Sequence, residues 1–160
     1  MMKSNQIPYT KEIKAFNSNS RCYYSYIASP IAFKTLSKKE FSALQTKVFP
    51  HFFLAQSVSP IIIGLTAPYA LTTGALITLG TAIIGGLTNY AYLLPETRKI
   101  KEARFKLEDE GKSDSAEFKE LSKQFGKIHG FSLLFNLVNF TALTTYGFIL
   151  VKNIVRYAPK

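Results

Sequence analysis

From Val48 to Pro95 the chain carries no Asp, Glu, Lys or Arg. An α-helix rises about 1.5 Å per residue, and a bilayer core about 30 Å thick needs about 20 residues to cross. The run is long enough for two such spans. "APYALTTG" divides it: Pro68, Thr72, Thr73 and Gly74 are turn residues. The expected spans are 49–68 and 72–94. A second uncharged block, "IHGFSLLFNLVNFTALTTYGFILV", makes a further span over 128–151. A soluble fold would have to bury the first block whole, and the chain lacks enough polar helix to cover it.

The charges lie beside these blocks. Residues 1–47 hold eight Lys or Arg and two acids, 96–127 hold nine and eight, and 152–160 hold three and none. The net +10 is thus spread over segments that flank apolar blocks. A continuous basic surface for nucleic acid is not what this pattern makes. Flanking charge of this kind meets anionic headgroups and orients helices. The partners it implies are membrane lipids, with other membrane proteins or a second copy of the chain also open, and no nucleic acid. The lone Cys22 implies no internal disulfide. The start of the chain lacks the apolar core of a secretory signal.

The expected architecture is an all-α integral membrane helical bundle. It has a basic, disordered tail over 1–21, a partial first helix over 22–40, three full spans, a polar helical loop over 96–127 and a basic tail over 152–160. The first helix is short because "CYYSYIASPIAF" cannot span alone and Arg21 stands before it. Tyr90 and Tyr92 are the amphipathic rings expected where hydrocarbon meets headgroup. Pro95 is expected to stop the second span and open the next helix. The 96–127 segment reads as two amphipathic surface helices parted by "EGKSD", with Gly111 closing the first and Asp114 with Glu117 capping the second. Segments 34–47 and 96–127 share one side, placed in the cytosol by their positive charge.

Polar residues inside the spans form the candidate site. His129, Ser132, Asn136 and Asn139 share a face of the last span, and Thr78, Ala82, Gly85 and Asn89 share one of the second. With His51 and Gln56 they gather in the half of the bundle nearest the charged loops. Such residues make interhelical hydrogen bonds, or they line a polar groove open to the interface. Two readings follow: a structural or adaptor membrane component, and, as the alternative, a protein that binds or moves a lipid or small solute. A third is an intramembrane enzyme built on His51 and His129. No catalytic, cofactor or metal motif supports it, and the chain is expected not to be an enzyme.

"SPIAFKTL", "FSALQTKVFPHFF", "NYAYLLPET" and "FGKIHGFSLLFNL", in that order, resemble the transmembrane protein 205-like family, itself catalogued as a domain of unknown function. The resemblance covers about residues 22–151 and rests on Phe49-Pro50, Asn89, Pro95, Thr97, His129-Gly130 and Asn136. It implies a small eukaryotic membrane protein of four spans with no family-wide enzyme activity. It points to the mitochondrial outer membrane, with the endoplasmic reticulum second. The chain departs from it at "AFNSNSRCYYSYIA", which is too polar for a full first span.

Overall fold

The structure is a computed structural model that describes residue 23 and residues 27–157. The tail expected over 1–21, Arg21 and Cys22 lie outside the described residues. The elements are α1 (Ser29–Thr35), α2 (Lys38–Leu65), α3 (Thr73–Thr88), a π-helical turn (Asn89–Leu93), α4 (Leu94–Asp109) and α5 (Ala116–Tyr157). Among the described residues there is no strand. Among the described residues three continuous helices are long and apolar enough to cross a membrane: Lys38–Leu65, Thr73–Asp109 and Ala116–Arg156.

The first of these begins earlier than its uncharged block. Leu36 is extended (φ −96°, ψ 151°) and ends α1. The Ser37 hydroxyl then accepts from the Glu40 N–H at 3.3 Å, while the Glu40 carboxylate accepts from the Ser37 N–H at 2.9 Å. This reciprocal cap satisfies two orphan donors and starts α2 at Lys38. The partial helix expected over 22–40 is therefore divided at 36–37, and its second part belongs to the first full span. Pro50 and Pro60 both lie inside α2 without ending it.

The expected stop at Pro95 does not occur. Leu94 N–H donates to the Asn89 carbonyl, five residues back. Proline has no N–H, and in an α-helix its ring crowds the carbonyl four residues earlier. The wider π turn directly before Pro95 relieves that crowding. The helix runs on from Thr73 to Asp109, about 55 Å at 1.5 Å per residue. It ends at Glu110, and Gly111 follows with φ 71°. Lys112 N–H reaches the Leu107 carbonyl at 2.8 Å and Gly111 N–H the Glu108 carbonyl at 3.1 Å, a Schellman closure.

Ser115, not Asp114, caps α5: its hydroxyl accepts from Phe118 N–H at 3.1 Å. From there a single helix reaches Tyr157, about 63 Å. The polar loop is thus the paired extensions of two spans, and residues 152–157 continue the last one. Phe118 and Phe125, half-buried, lie beneath the Arg104 guanidinium of α4 at 5.2 and 5.1 Å. The amphipathic stripe of α5 is turned to its neighbour rather than left for a partner.

The packing has membrane polarity. On α3 and the π turn that follows, the inward residues are mostly small or polar: Ala75, Ala82, Gly85, Gly86 and Asn89 are buried beside Leu79, while Ile77 and Ile84 are 63% and 64% exposed. Large apolar groups outward and small ones inward suit lipid as solvent, where close helix approach supplies the stability. At the far end Ile63, Ala75, Leu79, Tyr146 and Leu150 form the apolar core.

Candidate functional site

Two glycines set the distance between helices. A Cβ on Gly86 would stand 2.8 Å from Ser57 Oγ and 3.0 Å from Ser57 Cα, so α3 presses on α2 backbone there. A Cβ on Gly85 would stand 3.2 Å from the Phe135 carbonyl of α5. A methyl at Gly86 would force the two helices to shift, and one at Gly85 would require α5 to give by a few tenths of an ångström.

Around this waist the polar side chains form a clasp. Asn139 Nδ2 donates to the Ala82 carbonyl at 2.6 Å, and Asn139 is fully buried. Asn89 Nδ2 donates to Asn136 Oδ1 at 3.1 Å and to the Ser132 carbonyl at 3.3 Å. Asn89 opens the π turn, so the bulge that admits Pro95 also carries this amide. Gln56 is buried next to Ser57, within about one turn of the same level. The Gln56 Oε1 and Asn89 Oδ1 atoms are buried and accept no hydrogen bond among the described residues.

The charges of the three helices begin at one level. Arg98 donates to the Thr46 carbonyl, which brings Lys47 beside the Glu96–Arg98 turn. From Asn89 to Glu96 and from the Ser132–Asn136 region to Lys127 the climb is about 10 Å on both helices. Farther out, Lys38 pairs with Glu108 at 3.5 Å and Lys39 with Asp109. The start of α2 and the α4–α5 hairpin therefore share one side, and the end of α5 lies on the other.

A groove of about 670 Å³ crosses this level between α1, α2, α4 and α5. Seven phenylalanines line it: Phe33, Phe41, Phe49, Phe52, Phe53, Phe105 and Phe125. His129, Ser132 and Asn136 line it from α5, and Lys101 and Arg104 from α4. Lys101 Nζ donates to Thr46 Oγ1 at 2.6 Å and to the Ser42 carbonyl at 3.3 Å. Desolvation, and then the neighbouring Arg98, hold its ammonium below the usual lysine range, with Glu102 opposing. The volume is that of a site for one drug-sized or single-chain ligand.

The predicted site residues thus divide. His129, Ser132 and Asn136 line the groove, and His129 stacks on Phe125 at 5.7 Å. Asn89 and Asn139 form the clasp, and Gln56 is buried at its level. His51 is exposed on α2 and does not line the groove, so the groove does not hold the two histidines as a pair. Tyr90, Tyr92 and Pro95 are exposed. Sequence reasoning missed the phenylalanine wall and the two cations. The signal was present: Phe41, Phe49 and Phe52 or Phe53 recur along α2 at helical spacing. Among the described residues no three His, Cys, Asp or Glu side chains gather to hold a metal ion.

A curated relative in Aspergillus fumigatus, "Xanthocillin biosynthesis cluster protein D", is 24% identical over 161 residues, 95% of this chain and 93% of its own length. No solved structure matches the chain. A family model, Domain of unknown function (DUF4149), matches residues 15–106, which include α1 to α3, the π turn and most of α4. The transmembrane protein 205-like name is not carried by that match. More than half of the sequence fits this model, and the chain belongs to the DUF4149 family of domains of unknown function.

Proposed function

We propose that this integral membrane protein binds an amphiphile in the groove at the water boundary, as a holder or carrier rather than an enzyme. One observation carries the reading. The groove is lined by phenylalanine both inside and outside the level where the helices acquire charge, and it joins that wall to hydrogen-bonding and cationic groups. A molecule with an apolar body and a polar end matches both parts. The relative's name ties it to a biosynthesis cluster, a setting in which a membrane protein that holds a small apolar compound has a use.

The adaptor reading draws on the small-residue waist and the asparagine clasp, which account for a well-packed bundle. It loses the amphipathic stripe of α5, which α4 covers. Cytosolic placement of the α4–α5 hairpin follows from its charge. The mitochondrial outer membrane, with the endoplasmic reticulum second, follows from the family resemblance alone. Fractionation of cells carrying a tagged chain tests that placement.

The binding test uses the full chain purified in a neutral detergent. Native mass spectrometry should find a retained amphiphile, lost in Ser132→Trp, which fills the groove, and kept in Thr144→Trp on the exposed outer face of α5. Absence of any retained or added amphiphile on the wild-type chain would refute the reading.

A further inference from the structure

Resting on that reading, we infer that the groove takes an anionic glycerophospholipid from the surrounding bilayer, with its phosphate between Lys101 and Arg104 and one acyl chain lying inward along Phe49 and Phe53. Height is the first argument. Lys101 stands about 9 Å beyond Pro95 along α4 and Arg104 about 14 Å. The headgroup layer extends roughly 5–8 Å beyond the hydrocarbon, and long basic side chains bend back toward it. His129 lies only two residues inside Lys127, at the depth where ester linkages lie, and it lines the same groove.

Charge is the second argument. Three cations, Lys38, Lys101 and Arg104, line the groove against one carboxylate, Glu108. Lys38 pairs with that carboxylate. Among the described residues no ion pair involves Lys101 or Arg104. Two of the three Lys101 ammonium protons go to Ser42 and Thr46 on α2, and one is left. The Arg104 guanidinium carbon stands 5.2 and 5.1 Å from the Phe118 and Phe125 ring centres, and its Nε is buried with no hydrogen-bond partner among the described residues. Arg104 lines the groove with that donor unpaired, and a guanidinium fork is suited to a phosphate. A half-buried ammonium held below its usual range and next to another cation is restored by an anion.

The third argument is the shape of the wall. Phe49, Phe53 and Leu94 continue the groove inward from these cations. A free phosphate has no use for that wall, and a zwitterionic lipid brings to the two cations a phosphate already offset by its own ammonium. A phospholipid with a net negative headgroup uses both.

The test titrates the full chain, in neutral detergent, with dioctanoyl phosphatidylglycerol, dioctanoyl phosphatidylcholine, octanoate and inorganic phosphate by calorimetry. The glycerol lipid should bind most tightly. Lys101→Gln and Arg104→Gln should each weaken it about fivefold and together roughly thirtyfold, at about 1 kcal/mol per basic residue near a membrane surface. Phosphatidylcholine, whose phosphate carries a compensating ammonium beside it, should bind more weakly than the glycerol lipid and lose less in each variant. Arg104→Lys should keep part of the preference, and high salt on the wild-type chain should erase it, so a misfolded Gln variant does not spoil the test. Equal affinity for the two lipids, equal binding of octanoate, or phosphate binding without a chain would overturn the inference. If both lipids bind equally and Ser132→Trp abolishes both, the groove reading stands and only the anionic preference falls. If neither binds, both fail.

Discussion

The contact between Gly86 and Ser57 makes a quantitative prediction. Ala at Gly86 places its methyl carbon 2.8 Å from Ser57 Oγ and 3.0 Å from Ser57 Cα and N. Rotation of the hydroxyl relieves the first contact, but the other two are backbone. Ordinary carbon contacts begin near 3.5 Å, so α2 and α3 must part by several tenths of an ångström. That parting also loosens the neighbouring layers of the waist. Overpacking of this kind costs about 1–3 kcal/mol. Gly80, on the same helix, has nothing within 4 Å of its added Cβ. Both substitutions gain the same helix propensity, about 1 kcal/mol. The difference between Gly86→Ala and Gly80→Ala therefore isolates the steric term. Unfolding by sodium dodecyl sulfate titration in mixed micelles, followed by far-ultraviolet circular dichroism, should place Gly86→Ala about 1–3 kcal/mol below Gly80→Ala. Equal midpoints would refute the close approach of α2 and α3.

Other outcomes follow from the clasp and the helix start. A double-mutant cycle between Asn89 and Asn136 should give a coupling of about 0.6 kcal/mol, and no more than roughly 1.7, read from the same titration. Asn139→Leu should destabilise by a similar amount, because the Nδ2 donation to Ala82 is lost and the bulkier branch must fit a fully buried position. The Glu40 carboxyl is held below its usual range by the Ser37 side chain and then the Ser37 backbone N–H. A carboxyl lowered in the folded state stabilises above its unfolded pKa, and the effect fades as pH falls through the folded value. Amide exchange over residues 38–41 should therefore quicken, relative to the rest of α2, only in acid below the ordinary carboxylate range; Glu40→Gln should flatten the response.

Much of the bundle is legible because charge is so costly in lipid. The uncharged runs at 48–95 and 128–151 mark the spans, and "APYALTTG" marks the turn that α2 and α3 leave between Leu65 and Thr73. Helix ends are less legible, because helices here do not stop where hydrocarbon does. Lys38–Lys47 and Ile100–Asp109 remain helical beyond the uncharged run, since Arg98 and Lys101 cross to the carbonyls and hydroxyl of α2. Pro95 reads as a breaker by local rules, yet five residues of wider helix absorb it. Ser115 displaced Asp114 as a cap because a hydroxyl one residue later reaches the Phe118 N–H. For the site, spacing along a single helix located Asn89, Asn136 and Asn139. It could not separate a clasp from a groove, because that depends on which helix each side chain meets. The Phe41–Phe53 wall and the Lys101–Arg104 pair belong to different helices, and only the fold brings them together.

Everything proposed for the groove depends on the three helices crossing the bilayer with Lys47, Glu96 and Lys127 at one surface. Single cysteines introduced into a Cys22→Ser chain in sealed vesicles, treated with a membrane-impermeant maleimide, test this directly. Lys47→Cys, Glu96→Cys and Lys127→Cys should label together from one side. Ile61→Cys, Ile84→Cys and Leu137→Cys, on outward residues of each span, should stay unlabelled. Rapid labelling of the outward residues, or labelling of the three boundary positions from different sides, would contradict the account.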